Sequence, residues 1–381
     1  MTQLYFDHAA SAPRREEVVA AMEKWQHGVV GNPSGAHRAA REARKAVEDA
    51  RDEVAAFLGA KPGNVIFTGG GTEACHLAVA GVVNKHRRNN PTTSVVVSKI
   101  EHHAVLDCVE MLERDYDNVS VRYIDVDSEG VVDISSLESL ITDDTALVSV
   151  MSANNETGVI QPISAVAGAV GARCVTHTDA VAVAPFLNLA EFTKDMDMIS
   201  ICSHKIGGPV NSGALILRSE VSFDAVVPGG GQENGHRGGT VDVAAAVGLA
   251  AAAKATMRDH EQTLKLVTSY QDKIIAAAKQ LKNCEITASN AARLPGTVHL
   301  TFDGIASDEL LFLLDQEGVC ASAAASCSSG AAEPSHVLSA MGVPLSRARG
   351  SLRLSFGSET KPAEVDALIG ILGQVVSRLL P

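Results

Sequence analysis

Apolar positions along the chain follow two alternating periods. From about His37 to Leu58, Ala39, Ala43, Val47, Ala50, Val54 and Leu58 recur at three- and four-residue steps, which predicts one amphipathic helix. Arg44–Glu48 and Lys45–Asp49 pairs fall on its outer face, and Gly59 is expected to stop it. Beyond it, short apolar runs predict strands at Val65–Thr68, Ser94–Ser98, Val121–Ile124, Ala146–Met151, Cys174–Thr178, Met198–Ser203 and Ala214–Leu217. Helical stretches lie between several of them, around Glu73–Lys85, Ala104–Arg114, Ser135–Leu140 and Ile163–Val170. Such alternation predicts an α/β fold with a mostly parallel seven-stranded sheet, covered on both faces, with ligands beyond the carboxyl ends of its strands. A long helical run from about Val241, including Glu261–Leu281, then leads to a smaller α+β unit. Its expected parts are strand Val298–Phe302, helix Asp308–Gln316, strand Ser351–Phe356 and helix Pro362–Leu380. The expected division is 13–258 for the large α/β domain, with 1–12 and 259–381 forming the small one.

Composition narrows the function classes. At 381 residues there is room for two separate cores, and 46% hydrophobic with only 4% aromatic residues suits an aliphatic α/β core. A net charge of -13 repels nucleic acid and anionic membranes, so neither is an expected partner. The start, Met1 to Pro13, lacks the basic and apolar regions of a signal peptide, and no run of about 18 apolar residues predicts a membrane span. Seven scattered cysteines without a CxxC pair argue against a disulfide framework or structural zinc. A reducing cytoplasm is the expected location, and no metal site is expected.

Candidate chemistry sits at the ends of the predicted strands. Gly69-Gly70-Gly71-Thr72-Glu73 follows a strand and opens a helix, where backbone amides and the helix N-terminus favour a phosphate. The same turn can equally be structural. His102, after the strand Ser94–Ser98, can stack on a ring or simply hydrogen-bond. Asp179 ends a buried strand as a ligand or as a helix N-cap. Lys205, in Ser203-His204-Lys205, is a candidate Schiff-base amine or a solvated boundary residue. Their order decides: a phosphate turn, a flat His, an Asp for a pyridinium nitrogen and a Lys are what pyridoxal phosphate needs. Further on, Cys320-Ala-Ser-Ala-Ala-Ala-Ser-Cys327-Ser-Ser-Gly330 has side chains too small for a core, which suits a mobile loop with an exposed, nucleophilic Cys327. A connector with an incidental thiol is its plainer reading. Arg353, in Ser351-Leu-Arg-Leu-Ser355, is a fork suited to a substrate carboxylate or to a surface ion pair.

Over essentially its whole length the chain resembles the cysteine desulfurases of the NifS and IscS kind, among the fold-type I pyridoxal phosphate enzymes. The matching segments are Tyr5-Phe-Asp-His-Ala-Ala10, Gly31-Asn-Pro-Ser34, Phe67-Thr-Gly-Gly-Gly-Thr-Glu73, Glu101-His-His-Ala-Val-Leu-Asp107 and Asn154-Asn-Glu-Thr-Gly158. They continue with His177-Thr-Asp179, Ser203-His-Lys205, Gly229-Gly-Gly-Gln-Glu233, Arg237-Gly-Gly-Thr240 and Glu333-Pro-Ser-His336. The resemblance implies that Lys205 is the Schiff-base lysine, Asp179 the pyridinium partner and His102 the residue stacked on the ring. It implies phosphate contacts from Gly71, Thr72, Ser203 and His204, and one from Thr240 reaching in from the second subunit of a homodimer. Asn155 and Arg353 would hold the carboxylate of L-cysteine. Cys327 would carry the persulfide to a sulfur-acceptor protein, an iron–sulfur scaffold being one candidate, and alanine would leave.

Three positions depart from that family's pattern. Ala182 stands where a Gln usually bonds the cofactor's phenolic oxygen, Cys75 and His76 replace an Asn pair, and Ala325-Ser326 replaces part of a Gly-Ser-Ala run. Rival readings are a selenocysteine lyase or aminotransferase of the same fold, and a non-catalytic scaffold for a sulfur acceptor. The thiol in a long loop favours desulfuration, since an aminotransferase needs none.

Overall fold

The computed structural model describes residues 3–323 and 335–380. Among the described residues twelve strands follow in order: β1 Leu4–Tyr5, β2 Val65–Thr68, β3 Thr93–Ser98, β4 Val119–Ile124, β5 Thr145–Ser149, β6 Val175–Asp179, β7 Met198–Cys202, β8 Gly213–Leu217, β9 Cys284–Ile286, β10 Thr297–Phe302, β11 Val319–Cys320 and β12 Ser351–Ser355. The large sheet is seven-stranded, in the order β2-β8-β7-β6-β5-β3-β4. β3 to β7 pair in parallel, while β8 runs antiparallel to both β7 and β2. Two reversals bring β2 back to the common direction, so its carboxyl end lies at the same edge as those of β3, β5, β6 and β7. All residues of β2, β3, β5, β7 and β8 are buried, which is why these segments read as mostly apolar runs, broken only by small Ser and Thr, rather than as alternating ones.

Helices cover both faces. Arg38–Leu58 forms as its periodicity predicts: Gly59 ends it in the left-handed conformation at φ 61°, donating its N–H to Ala55 and Ala56 carbonyls. Lys45 pairs with Asp49 as expected. The expected Arg44–Glu48 pair does not form: Arg44 instead donates to the carbonyls of Pro33 and Gly35, each at 2.7 Å, and Glu48 pairs with Arg51. Carbonyls fixed by the preceding loop hold that guanidinium better than a solvated carboxylate, whose exposed pairing is worth only a few tenths of a kcal/mol. The helix Glu16–Gln26, not expected from the pattern, buries only Val18 and Met22.

The helix Val243–Ala278 is continuous through residue 258. Its first half packs small residues such as Ala246, Ala250 and Ala253 into the large-sheet core, and its second half buries Val267, Tyr270 and Ile274 in the same cluster as Val298, Leu352 and Phe356. Beyond it, β12, β10 and β9 form an antiparallel sheet, and β1 pairs in parallel with β11, Leu4 opposite Val319. The chain start is thereby tied to its last third, with Phe6 fully buried against Phe356.

Candidate active site

The parallel strands deliver their carboxyl ends to one cavity of about 300 Å³, partly open to solvent. Thr72 and Gly71 enter it after β2, His102 after β3, Met151, Ala153 and Asn155 after β5, and Asp179 with Ala182 after β6. His204 and Lys205 follow β7, Arg353 comes from β12, and Ala9 and Ala10 from the N-terminal segment. Eight of the residues singled out in the sequence are thus brought together by strands distant along the chain.

Each is held by its own local chemistry. Gly70 adopts φ 144°, open to glycine and rarely to other residues, and the chain turns there from β2 into the helix Gly71–Arg87. A Cβ added at Gly71 would stand 3.1 Å from Val181 and 3.3 Å from Cys202, closer than ordinary contact, so glycine there relieves crowding at the helix start that lines the cavity. His102 caps the helix His103–Asp115, its Nδ1 accepting from the Ala104 amide at 3.0 Å. That bond holds the ring where His102 lines the cavity. Burial pushes the His102 pKa down. Asp179 Oδ1 accepts from the Val181 amide at 2.9 Å, and burial raises its pKa while His102 nearby pulls it back. A cationic nitrogen against that carboxylate would reverse the burial effect.

Lys205 Nζ donates to the carbonyls of Ala9 at 2.5 Å and Ala10 at 2.8 Å, and burial lowers its pKa. A lysine so held is nearer to a neutral nucleophile than an exposed one. Arg353 lies on the opposite strand system; its Nη1 donates to the Asn155 carbonyl and its Nη2 to Asp7, each at 2.9 Å. Glu101, beside His102, accepts from Ser98 Oγ at 2.6 Å and the Met151 amide at 2.7 Å, and its buried carboxyl is raised to about 8 by desolvation.

Two sequence candidates stand elsewhere. Ser203 is fully buried behind the cavity, its Oγ without a partner among the described residues. Thr240 is exposed and lines a separate hollow with Gly69, Asn211 and Arg237. Cys327, together with Ala325, Ser326 and Glu333, lies outside the described residues. Sequence reasoning gave no role to Asp7, the partner of Arg353, nor to Glu73, which bonds Arg237 Nε at 2.7 Å and the Gly69 amide at 2.7 Å. Only their place inside recurrent segments signalled them.

The donor set suits pyridoxal phosphate: amides and Thr72 at a helix start for the phosphate, a buried carboxylate for the ring nitrogen, an imidazole face for the ring and a desolvated amine for the aldehyde. Comparison with known proteins agrees. The curated IscS-like cysteine desulfurase of Mycobacterium tuberculosis is 40% identical over 98% of this chain and 96% of its own. The cysteine desulfurase IscS of Dictyoglomus turgidum is 35% identical over 99% of this chain and 95% of its own. A solved NifS-like protein superposes with a TM-score of 0.91 at 31% identity, covering 99% of this chain and 100% of that one. Residues 4–368 match the pattern of a single family, and the chain belongs to it: Aminotransferase class-V.

Proposed function

We infer that the chain is a pyridoxal-phosphate-dependent cysteine desulfurase, which takes sulfur from L-cysteine, releases L-alanine and passes the sulfur to an acceptor. The observation that carries this is the meeting of the Lys205 amine with Asp179, His102, Thr72 and Arg353 in one cavity. Its relatives named as cysteine desulfurases align along nearly all of it.

When bound, pyridoxal phosphate supplies the electron sink for the bond electrons released at the substrate's α-carbon. The residue roles are our proposal. Lys205 anchors the cofactor and moves the proton at the α-carbon, a task its lowered pKa suits. Asp179 keeps the ring nitrogen charged and His102 covers the ring face. Gly71, Thr72 and His204 hold the phosphate, whereas Ser203, expected to join them, is buried outside the lining of the cavity. Arg353, with Asn155, holds the carboxylate of cysteine. Cys327, as thiolate, takes the γ-sulfur: an S–S bond forms while the Cβ–S bond breaks, its electron pair staying on carbon to be protonated, and alanine departs. Holding the two thiols together makes this encounter local rather than bimolecular.

The proposed active form is a homodimer in which the segment 229–240 of each subunit completes the other's site through Thr240. Its exposure in a single chain, beside Gly69 but outside the Lys205 cavity, supports that reading. Domains at 13–258 and at 1–12 with 259–381 are likewise proposed, sharing the helix Val243–Ala278. Among the described residues no helix is long and apolar enough to cross a membrane; a cytoplasmic location is proposed from the scattered cysteines.

The deciding experiment is Lys205→Ala. The purified variant should lose the absorbance of the covalently held cofactor and all alanine release from L-cysteine, whereas alanine release near the parent rate would overturn the reading.

A further inference from the structure

The segment that carries Thr240 is held to the large sheet by a buried ion pair. Arg51, on the helix Arg38–Leu58, donates from Nη1 to Glu233 Oε2 and from Nη2 to Glu233 Oε1, each at 2.8 Å. The side chains are 10% and 2% exposed, so neither charge is solvated. This two-pronged geometry is the strongest form of such a pair.

The pair also grips the edge of the sheet. β2 is an outermost strand, and β8 occupies only one side of it. On its other side the Phe67 amide donates to Glu233 Oε2 at 2.8 Å, and the Val65 carbonyl accepts from Arg51 Nη1 at 2.7 Å. Arg51 and Glu233 therefore stand in for the missing neighbouring strand. The guanidinium also lies 4.8 Å over the Phe67 ring. Two residues later β2 becomes the Gly69–Gly71 turn.

Holding Glu233 there costs backbone strain. Glu233 and Asn234 adopt φ 47° and 55°, in the left-handed region that side chains disfavour. Such a conformation persists where surrounding contacts over-determine it, as they do here. Four residues further on, Arg237 returns to the same turn and bonds Glu73, whose carboxylate also accepts from the Gly69 amide. Two ion pairs thus bracket the segment: one on the strand before the phosphate turn, one on the helix after it.

We propose that Arg51 and Glu233 are positioning residues, which set the segment 229–240 on the edge of β2 so that Thr240 is presented at the height of the phosphate turn to the neighbouring subunit. The proposal rests on the cross-subunit role of Thr240 given above. The pair touches neither substrate nor cofactor; it acts through the segment it anchors.

The test is a double-mutant cycle on cofactor retention. Apo protein is titrated with pyridoxal phosphate, following absorbance, for the parent, Thr240→Ala, the paired replacement Arg51→Met with Glu233→Gln, and all three together. Replacing both charges leaves no stranded one in the interior. Thr240→Ala and the paired replacement should each weaken binding about tenfold, the loss of one charge-assisted bond. Together they should be no worse than the weaker of the two, because they remove the same contact. Effects that multiply to about a hundredfold, or a paired replacement that binds as the parent does, would overturn the proposal while leaving Thr240 its role. Unchanged binding by Thr240→Ala would instead remove the cross-subunit reading itself. Should the paired replacement not fold, Glu233→Asp alone, which keeps a carboxylate near Arg51 but shortens its reach to the edge of β2, takes its place in the cycle, and the same outcomes support or overturn the proposal.

Discussion

Arg353 and Asp7 form an ion pair at 2.9 Å that joins β12 to the N-terminal segment, and Arg353 is only 4% exposed at its side chain. With Nη1 on the Asn155 carbonyl and Nε buried without a partner among the described residues, the plane of the guanidinium is fixed from two sides. A fork so held is ready for a carboxylate without losing rotamer freedom on binding.

Arg353→Lys should therefore raise KM for L-cysteine about 10- to 100-fold, with a smaller effect on kcat, since a charged hydrogen bond is worth about 1.5–3 kcal/mol. Steady-state kinetics decide it. An unchanged KM would mean that another group holds the carboxylate.

Cys327→Ser should keep the bound cofactor and lose persulfide formation, because a hydroxyl cannot carry sulfane sulfur. Cys320 has a structural setting: it lies in β11 opposite Tyr5, its Sγ accepting from Gln3 Nε2 at 2.9 Å. Cys320→Ser should keep most of the activity. Mass spectrometry of the protein after exposure to cysteine distinguishes the two, and persulfide on Cys320 in place of Cys327 would reverse the assignment.

Ala182 lines the Lys205 cavity, so a side chain there can reach what the cavity holds. A methyl group cannot donate to the cofactor's phenolic oxygen. In Ala182→Gln the amide can, and it favours the anion. The absorbance of bound cofactor should then titrate about one pH unit lower than in the parent, the equivalent of one hydrogen bond of roughly 1.4 kcal/mol. Superimposable titrations would show that the oxygen already has its donor.

His177 is fully buried between Ser149 Oγ at 2.8 Å and Ser200 Oγ at 2.9 Å, and desolvation lowers its pKa to about 3. Between that value and the ordinary 6.5, the unfolded chain binds a proton that the folded one does not. Its contribution to stability is thus complete above pH 6.5 and lost as pH falls towards 3, by up to about 1.4 kcal/mol per pH unit. Urea unfolding from pH 7 to pH 4 should show a shallower fall for His177→Gln than for the parent. Equal slopes would mean that His177 titrates normally in the folded protein.

Most of the secondary structure was legible because burial on both faces of a parallel strand leaves short, mostly apolar runs with only small Ser or Thr among them, as in Thr93–Ser98 and Met198–Cys202. The helix Arg38–Leu58 was legible for the opposite reason, a one-sided stripe. The helix Glu16–Gln26 was not, because two buried residues in eleven make no period. Short β1 and β11 carry too few residues for any pattern, and exist because each supplies the other's hydrogen bonds across more than 300 positions of chain.

The candidate site divides in the same way. Residue type and order along the chain were enough to single out Lys205, Asp179, His102 and the glycine turn, since each follows a strand and all parallel strands end at one edge. What the sequence could not contain is who faces whom. Arg44 was expected to meet Glu48 and took two carbonyls; Arg353 met Asp7; Arg51, four turns into an ordinary-looking helix, met Glu233. Periodicity records which side of an element is buried, whereas a buried charge pairs with whatever the packed fold brings within about 3 Å, and that partner is chosen only when distant segments close on one another.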